Sequence, residues 1–514
     1  MYIKELFSWG FICAIIGLFL LDNPMQRLSL AIWLLLVCVW SPGQASVSEH
    51  FKKIQTQPDV LYDFLKDMPK GGELHYHYDG SVYTETMLQL ATKSNLCVHT
   101  PSLTTQPCTQ QATQWRIPTI ISQPALRTKL IQDWSMQDFK PLKQSAHDHF
   151  FAVFPKVGAF YSELKGQLLA EILKKAGEQH EHYMEIIAFG LRSSGDDFVP
   201  LIRTAADLEK KRAILMANPS FKQSVQDIVK DSQTFLPQAH SVLHCNTQPK
   251  QAACQIAVNF QFYVRRVKSL DAVFAQALAG FMAAQQSKTI VAINLVDIED
   301  NAVAQHDYNA HMRMFEMLHR LYPDVHIALH AGELYPKTVA PHQVAAPIHE
   351  AILIGHAERI GHGLDIQDEP YPDALAALMS EKAIAVEINL SSNRLIFGVK
   401  DKQHPLTYYL KHHVPVVLST DDEGILRTDL TKEYLEAAVQ HHLDYATIKH
   451  INRNTLTYGF IEGQSLWQDP HNAIPVKECR SLSSLRCEIF IQHNPKANLQ
   501  WQLEQDLKKF EKKW

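Results

Sequence analysis

The sequence lacks the features that accompany nucleic-acid binding. Its 514 residues include 49 lysines and arginines against 54 aspartates and glutamates, which gives a formal net charge of -5, and no long basic run is present. A protein that binds a phosphate backbone needs a concentrated basic surface, so we do not expect nucleic acid as a partner. With 46% hydrophobic and 20% charged residues, the composition is that of a globular protein, of one large domain with insertions or of two domains.

Two further motifs are missing. No glycine-rich loop follows the first predicted strand, so the usual nucleotide fingerprint of an open, doubly wound sheet is absent. No cysteine couple has the two-residue spacing of a zinc knuckle. After the leader, six cysteines instead form three neighbouring couples: Cys97 with Cys108, Cys245 with Cys254, and Cys479 with Cys487. Such couples predict local disulfides in an exported protein, and six unrelated thiols are the alternative.

The N-terminus predicts export. An apolar run at 28–40 follows Arg27 and precedes the small-residue stretch 41–46, which is the order of a secretory signal peptide, with cleavage after Ala45. A second apolar run, 7–21, lies upstream of Met25, so translation begins at Met25 or the two runs together form an anchor. Each run is shorter than the roughly 20 apolar residues of a spanning helix. We favour a signal peptide at 1–45, a secreted or periplasmic protein, and no stable membrane span in the mature form.

Short β-rich segments alternate with longer amphipathic ones after Lys70. The predicted strands are 73–77, 182–188, 258–267, 289–296, 325–330, 359–361, 385–389 and 415–419. About eight strand-then-helix units favour an α/β fold, a (β/α)8 TIM barrel, over the open sheet. Residues 82–180 are too many for one crossover and predict an inserted helical subdomain between the first two strands. We place an N-terminal segment at 46–70, the barrel at 71–470 and a C-terminal tail at 471–514.

Four side chains at predicted strand ends form a candidate metal site. His75 and His77 lie on one face of the first strand, because side chains alternate along a strand. His330 and Asp421 follow two other strands, and the carboxyl ends of barrel strands converge. Three imidazoles and a carboxylate suit one zinc ion and would also accept iron, cobalt or manganese. The fourth strand, 289–296, has no lysine that would bridge a second ion, so we interpret the site as mononuclear.

Candidate acid and base groups follow the same strands. Glu333, three residues after His330, can donate or shuttle a proton, and His362 can orient or deprotonate a water molecule activated by the ion. Asp422 can accept a hydrogen bond from substrate. Gly332 would let backbone approach a ligand closely. The alternatives are a capping or salt-bridge role for the carboxylates and a plain turn for the glycine.

The chain resembles the adenosine and AMP deaminases of the amidohydrolase superfamily, and more closely the secreted adenosine deaminase-related growth factor branch. The matching stretches occur in the family's order over roughly 59–463. They are 68–71 (MPKG), 73–77 (ELHYH), 183–186 (YMEI), 330–333 (HAGE), 359–363 (RIGHG), 391–393 (SSN), 404–405 (HP) and 419–422 (STDD).

This resemblance implies a zinc-dependent enzyme that converts adenosine or 2'-deoxyadenosine to inosine or 2'-deoxyinosine and ammonia. Glu333 would protonate the purine ring while hydroxide attacks the carbon that bears the amino group, and His362 would assist the hydroxide. Asp422 would hold the attacking geometry and the imidazole-ring side of the purine, and Asp79 would contact a ribose hydroxyl. The zinc would lie on His75, His77, His330 and Asp421. A homodimer is implied by the resemblance alone.

Some positions depart from the family pattern. Asp297 stands where a glycine is usual, Glu423 where a proline is usual, and Ile187 where an arginine is common. These positions leave the substrate open, so another aminopurine, a pterin or an N-substituted adenine is the alternative within the enzymes. A secreted nucleoside-binding or signalling protein without turnover is the alternative outside them.

Overall fold

Eight parallel strands form one sheet whose order follows the chain. The computed structural model describes residues 42–110, 112–142, 144–334 and 346–514, so nearly all of the predicted signal peptide lies outside the described residues. The strands are β1 (Lys70–His77), β2 (Glu181–Phe189), β3 (Ala257–Arg265), β4 (Ile290–Val296), β5 (His326–Ala331), β6 (Arg359–His362), β7 (Ala385–Ile388) and β8 (Val416–Leu418). With helices around them, these strands confirm the predicted (β/α)8 barrel.

The barrel closes at a seam between β1 and the residues that follow β8. Tyr76 and Asp421 form a parallel bridge there. The amide of His77 donates to the carbonyl of Asp421 at 2.9 Å, and the amide of Asp421 donates to the carbonyl of His75 at 3.2 Å. Three residues predicted as metal ligands therefore lie where the two ends of the sheet meet.

The helices surround the barrel and begin at side-chain caps in several cases. Ser269, Asn301, Asp429 and Asp444 each accept a hydrogen bond from a backbone amide of the helix that follows, which satisfies a donor that the first turn leaves free. The helices of the barrel layer are Leu270–Gln286, Ala302–Leu321, Pro347–Leu353, Pro372–Glu381, Leu390–Phe397, Leu406–Lys411, Glu423–Leu426, Leu430–Gln440 and Tyr445–Tyr458. Between β2 and β3 lie Val199–Ile202, Leu208–Ala217 and Pro219–Val242.

The segment between β1 and β2 contains both helices and strands. Its helices are Thr84–Leu90, Ile117–Ser122, Pro124–Asp133, Ala146–Phe151, Phe154–Glu163 and Lys165–Glu178, and a three-stranded antiparallel sheet combines Leu96–His99, Thr104–Pro107 and Gln114–Arg116. We expected helices alone, because strands of three or four residues are too short to give a readable alternation. The sulfur atoms of Cys97 and Cys108 lie 2.02 Å apart beside this sheet.

Both ends of the described chain pack on the barrel. Helices Pro42–Ile54 and Pro58–Asp67 precede β1, and Leu485–Gln492 and Pro495–Lys513 end the chain after a two-stranded sheet, Trp467–Asp469 with Ile474–Pro475. The rings of Phe64 and Phe510 lie 4.9 Å apart in the buried core. Cys245 and Cys254, and Cys479 and Cys487, also have sulfur atoms at bonding distance. None of the described helices is both long and apolar enough to cross a membrane.

Candidate active site

The structure brings the four predicted ligands together at the mouth of the barrel. Nε2 of His77 lies 3.1 Å from Nε2 of His330. Oδ1 of Asp421 lies 3.3 Å from Nε2 of His77 and 3.5 Å from Nε2 of His75. Four ligands in a tetrahedron around zinc, at about 2.0–2.1 Å from the ion, would stand about 3.3 Å apart. These three distances are close to those expected between ligands of one ion.

A buried carboxylate orients His75. Oε2 of Glu387 lies 2.8 Å from Nδ1 of His75, and Oε1 of Glu387 accepts a hydrogen bond from Arg359 at 2.6 Å. Burial alone would raise the pKa of Glu387, but the charge of Arg359 and the contact with His75 outweigh burial and lower it. The carboxylate is thus an acceptor, so Nδ1 of His75 is the donor. Its Nε2 is buried and has no hydrogen-bond partner within the described part of the chain.

An asparagine orients His330 in the same way. The backbone amide of His330 donates to Oδ1 of Asn294 at 3.1 Å, and Nδ1 of the His330 ring lies 2.8 Å from the same oxygen. Because a backbone amide can only donate, it identifies this atom as the oxygen, and the ring nitrogen must donate to it as well. The neutral His330 ring then has its lone pair on Nε2, which faces the cluster.

The charges around the cluster favour a cation at its centre. Burial lowers the pKa of His75, but the nearby carboxylates of Asp421 and Glu387 outweigh burial and raise the pKa to about 9. A proton or a metal ion on this imidazole would balance the two carboxylates. Burial lowers the pKa of His77 to about 4. Burial, together with the neighbouring histidines, lowers the pKa of His330 well below its usual value. The rings of His77 and His330 therefore favour the neutral form, which is the form that binds a metal.

Glu333 and His362 face each other beside the cluster. Oε1 of Glu333 lies 3.7 Å from Nε2 of His362. Burial raises the pKa of Glu333 well above its usual value, and the charge of Asp421 adds to this effect. Burial lowers the pKa of His362 to about 3, helped by the charge of His75. The site therefore offers a carboxyl group whose protonated form is favoured and an imidazole whose neutral form is favoured.

The loop after β5 is held by a second carboxylate. Glu299 accepts hydrogen bonds from the amide of Gly332 at 3.0 Å and from the amide of Glu333 at 2.9 Å. Gly332 has a φ of +78°, and a Cβ there would lie 2.2 Å from Oδ1 of Asp365. Its amide is engaged and the residue is not among the described residues that line the cavity. These contacts show that Gly332 helps to place Glu333, and its predicted contact with substrate stays a prediction.

Asp421 and Asp422 have different surroundings. Oδ2 of Asp421 accepts a hydrogen bond from Ser392 at 2.7 Å, and the residue has a φ of +63°, rare for a side chain other than glycine. Asp422 lies against Gly80, where a Cβ would overlap its Oδ1 at 1.6 Å. Burial and the charge of Asp421 raise the pKa of Asp422 well above its usual value. Asp422 lines the cavity and is available to contact a ligand.

A cavity of about 500 Å³ opens in front of these groups, a volume within the range of small-molecule sites. His77, His330, Glu333, His362, Asp421 and Asp422 form its floor, and Asp79 lies on its wall. The segment between β1 and β2 adds Phe150, Phe151 and Phe154. At the rim, Nε of Arg265 lies 2.7 Å from Oδ2 of Asp297, which has a φ of +83°. Asp297 thus has a backbone conformation that favours glycine, at a position where the resembled family usually has glycine.

Sequence reasoning missed the residues that hold the site. Glu387 and Glu299 were not identified, although a glutamate within the apolar strand β7 is a signal that a buried cation or donor lies opposite. Asn294, on the fourth strand, was not identified either. The phenylalanines of the cavity wall left no signal, because nothing local in a helix shows that it will face a barrel mouth.

Comparison with known proteins finds a similarity over the part of the chain that contains β3 to β8. A family model described as adenosine deaminase matches residues 233–466. Adenosine deaminase from Klebsiella pneumoniae (strain 342) is 36% identical over 140 residues, 27% of this chain and 39% of the relative. The corresponding enzyme from Enterococcus faecalis (strain ATCC 700802 / V583) is 31% identical over 137 residues, 26% of this chain and 37% of the relative. The chain thus spans less than two fifths of the length of these relatives.

A solved structure agrees with the fold. Arabidopsis ADAL complexed with IMP covers 87% of this chain and 99% of its own, with a TM-score of 0.50 and 16% sequence identity, which supports the barrel and nothing finer. The family match is finer, because residues 233–466 include His330, Glu333, His362 and Asp421. This segment of the chain is therefore similar to the adenosine deaminases, including at four of the predicted site residues.

Proposed function

We propose that the protein hydrolyses the amino group from an aminopurine nucleoside, with adenosine or 2'-deoxyadenosine as substrate and inosine or 2'-deoxyinosine and ammonia as products. One observation carries this proposal. A possible ion site, a buried carboxyl group and an imidazole line one cavity of nucleoside size, and they do so in the family's motif order. A protein that only binds nucleosides has no need of this combination.

His75, His77, His330 and Asp421 would hold one zinc ion. When bound, such an ion supplies a Lewis acid that makes water a nucleophile at neutral pH. The donor set supports this assignment, because two of the imidazoles have their Nδ1 atoms engaged by Glu387 and Asn294 and so direct Nε2 to the centre.

The remaining groups would move the proton and position the purine. Glu333 would donate its proton to a ring nitrogen as the oxygen of water adds to the carbon that bears the amino group. Of the two protons of that water, one would return to Glu333 and the other would pass to the departing amino group. The carbon to nitrogen bond then breaks and ammonia leaves, so that water is consumed and the ring carbonyl of the product remains. Asp422, whose raised pKa favours the protonated carboxyl group, would donate a hydrogen bond to the free nitrogen on the imidazole side of the purine, and Asp79 would contact a ribose hydroxyl.

The phenylalanine wall supports a flat, apolar ligand. Phe150, Phe151 and Phe154 pack edge to face, with ring centres 5.0 Å apart for the first two and 5.4 Å apart for the first and third. Aromatic side chains bind a heteroaromatic ring through offset or edge contacts and exclude water from it. Water exclusion strengthens the electrostatic contacts on the floor of the same cavity.

We also propose that the protein is exported, to the periplasm or the medium, with a signal peptide at 1–45 removed. Three cysteine couples with sulfur atoms at bonding distance support this, because such bonds persist in an oxidising compartment. Mass spectrometry of the protein from its native host would find an N-terminus near Ser46 and three disulfides. A retained N-terminus or six alkylated thiols would contradict the proposal.

A substrate panel tests the activity. The Zn²⁺-loaded protein should convert adenosine or 2'-deoxyadenosine to the 6-oxo product faster than adenine, an N6-substituted adenosine, a 5'-phosphorylated nucleoside or an aminopterin. Fastest turnover of another panel member would change the substrate and keep the chemistry. Stoichiometric ion binding without turnover of any aminopurine would reject the proposed activity.

A further inference from the structure

His362 differs from the other histidines of the site in what its second ring nitrogen contacts. Distance alone would allow His362 to be a ligand, because its ring lies within reach of two overlapping groups, one with His75 and His330 and one with Glu333 and Asp421, each with atoms within 4.8 Å of one another. The position of the ring hydrogen decides, since a nitrogen that carries hydrogen cannot bind a metal.

The hydrogen can be followed from a backbone amide. The amide of Leu406 lies 3.1 Å from Nδ1 of His404. A backbone amide is always a donor, so this nitrogen accepts and carries no hydrogen. The hydrogen of neutral His404 is therefore on Nε2, which lies 3.0 Å from Oδ1 of Asn393.

The asparagine passes this orientation on. Because its Oδ1 accepts from His404, its Nδ2 group faces the other way and lies 3.2 Å from Nδ1 of His362. The amide nitrogen of Asn389 lies 3.4 Å from the same ring nitrogen. An amide NH₂ group only donates, so Nδ1 of His362 accepts. Neutral His362 then carries its hydrogen on Nε2, the atom that points into the cavity toward Glu333.

We infer that His404 and Asn393 are positioning residues that fix His362 as a hydrogen-bond donor to the cavity, neither a metal ligand nor a base. His404, Asn393 and Asn389 are at most 2% exposed, so water does not compete for these contacts. His75 and His330 have the opposite arrangement, with acceptors at Nδ1 and lone pairs at Nε2. The use of the donor toward an attacking oxygen rests on the proposed function, whereas the position of the hydrogen does not.

The isosteric change Asn393→Asp reverses the arrangement. A carboxylate accepts at both ends, from Nε2 of His404 and from Nδ1 of His362, so the His362 hydrogen should move to Nδ1. Nitrogen-15 NMR of the Zn²⁺-loaded protein with labelled histidine reports which ring nitrogen carries hydrogen, and His362→Gln assigns the signals. We expect a protonated Nε2 in the unchanged protein and a protonated Nδ1 in the variant, with kcat lowered about 10–100-fold and KM little changed.

A matched control separates this effect from the burial of a carboxylate. Asn454 is also buried and donates to the carbonyl of Val416 at 3.0 Å, at the first residue of β8, whereas the cavity residues Asp421 and Asp422 follow the end of that strand. Asn454→Asp should leave the His362 signals and the ratio of kcat to the fraction folded unchanged.

A second pair of variants covers a folding failure of Asn393→Asp. In His404→Gln, the side-chain amide can accept from Leu406 and donate to Asn393, so the His362 hydrogen should stay on Nε2. In His404→Leu it should distribute over both nitrogens. An unprotonated Nε2 in the unchanged protein, or identical His362 signals in all variants, would overturn the inference. Failure of aminopurine turnover with the expected NMR pattern would reject only the proposed function.

Discussion

The polar floor of the cavity and its phenylalanine wall are built in different ways. On the polar floor and directly beneath it, side chains are buried and held by partners on other strands, as His330 is by Asn294 and His75 is by Glu387. On the wall from the inserted segment, Phe150, Phe151 and Phe154 pack on one another without such partners. The hydrogen bonds on the floor orient its side chains, as bond making requires, whereas the aromatic wall supplies apolar contact area. We therefore expect substitutions on the floor to change kcat or ion affinity, and substitutions on the wall to change KM.

The largest effect is expected at Glu333. Glu333→Gln keeps the shape of the side chain and removes the proton that the carboxyl group would donate, so kcat should fall about 10³-fold. Ion affinity and KM should stay the same. Steady-state kinetics with metal analysis checks this, and Glu381→Gln on an exposed helix end is the control. Full kcat in Glu333→Gln would place the proton donor elsewhere.

A smaller effect is expected beneath the cluster, at Glu387. Glu387→Gln removes the negative charge from Nδ1 of His75 and leaves Arg359 without that partner. Loss of such an outer carboxylate lowers metal affinity about 10–100-fold. Competition with a chromophoric chelator measures it, and excess Zn²⁺ should restore most of the activity. Unchanged affinity would show that His75 needs no carboxylate or is not a ligand.

On the aromatic wall the effect should move from chemistry to binding. Phe154→Ala removes one ring of the wall, and the lost apolar contact should raise KM about tenfold, within the range that a hydrophobic pocket contact provides. The kcat at saturation and the ion affinity should not change. A fall in kcat with unchanged KM would mean that the wall takes part in the chemistry. The expected difference between floor and wall would then be wrong.

The smallest effect is expected at the rim ion pair. Asp297 pairs with Arg265, which is 45% exposed, and exposed pairs contribute little to binding or stability. Asp297→Gly suits the φ of +83° and frees Arg265 to meet an anion. We expect KM for a 5'-phosphorylated nucleoside to fall about threefold relative to the unphosphorylated one. An equal change for both substrates would show that the pair does not discriminate between them.

The sequence predicts the residues of the polar floor much better than those of the phenylalanine wall. His75 and His77 lie two residues apart on one face of β1. His330 lies near the end of β5 and Asp421 follows β8, so barrel geometry alone brings the four side chains together. Glu387 and Asn294 hold these ligands through contacts between strands, and the strand pattern shows burial without showing the partner. Phe154 reaches the cavity through the tertiary placement of an inserted segment, and no local pattern encodes this placement. The sequence alone does not separate two roles for Gly332. A glycine beside a predicted ligand has the same pattern whether its backbone contacts substrate or it leaves space for Asp365.

One titration tests the central claim most directly. Metal-free protein is titrated with Zn²⁺ while bound ion and conversion of adenosine to inosine are followed in the same samples. The account predicts that turnover rises with bound ion and reaches its maximum at one ion per chain, and that Asp421→Asn abolishes both. Full turnover in the metal-free protein, or a maximum only at two ions per chain, would contradict it.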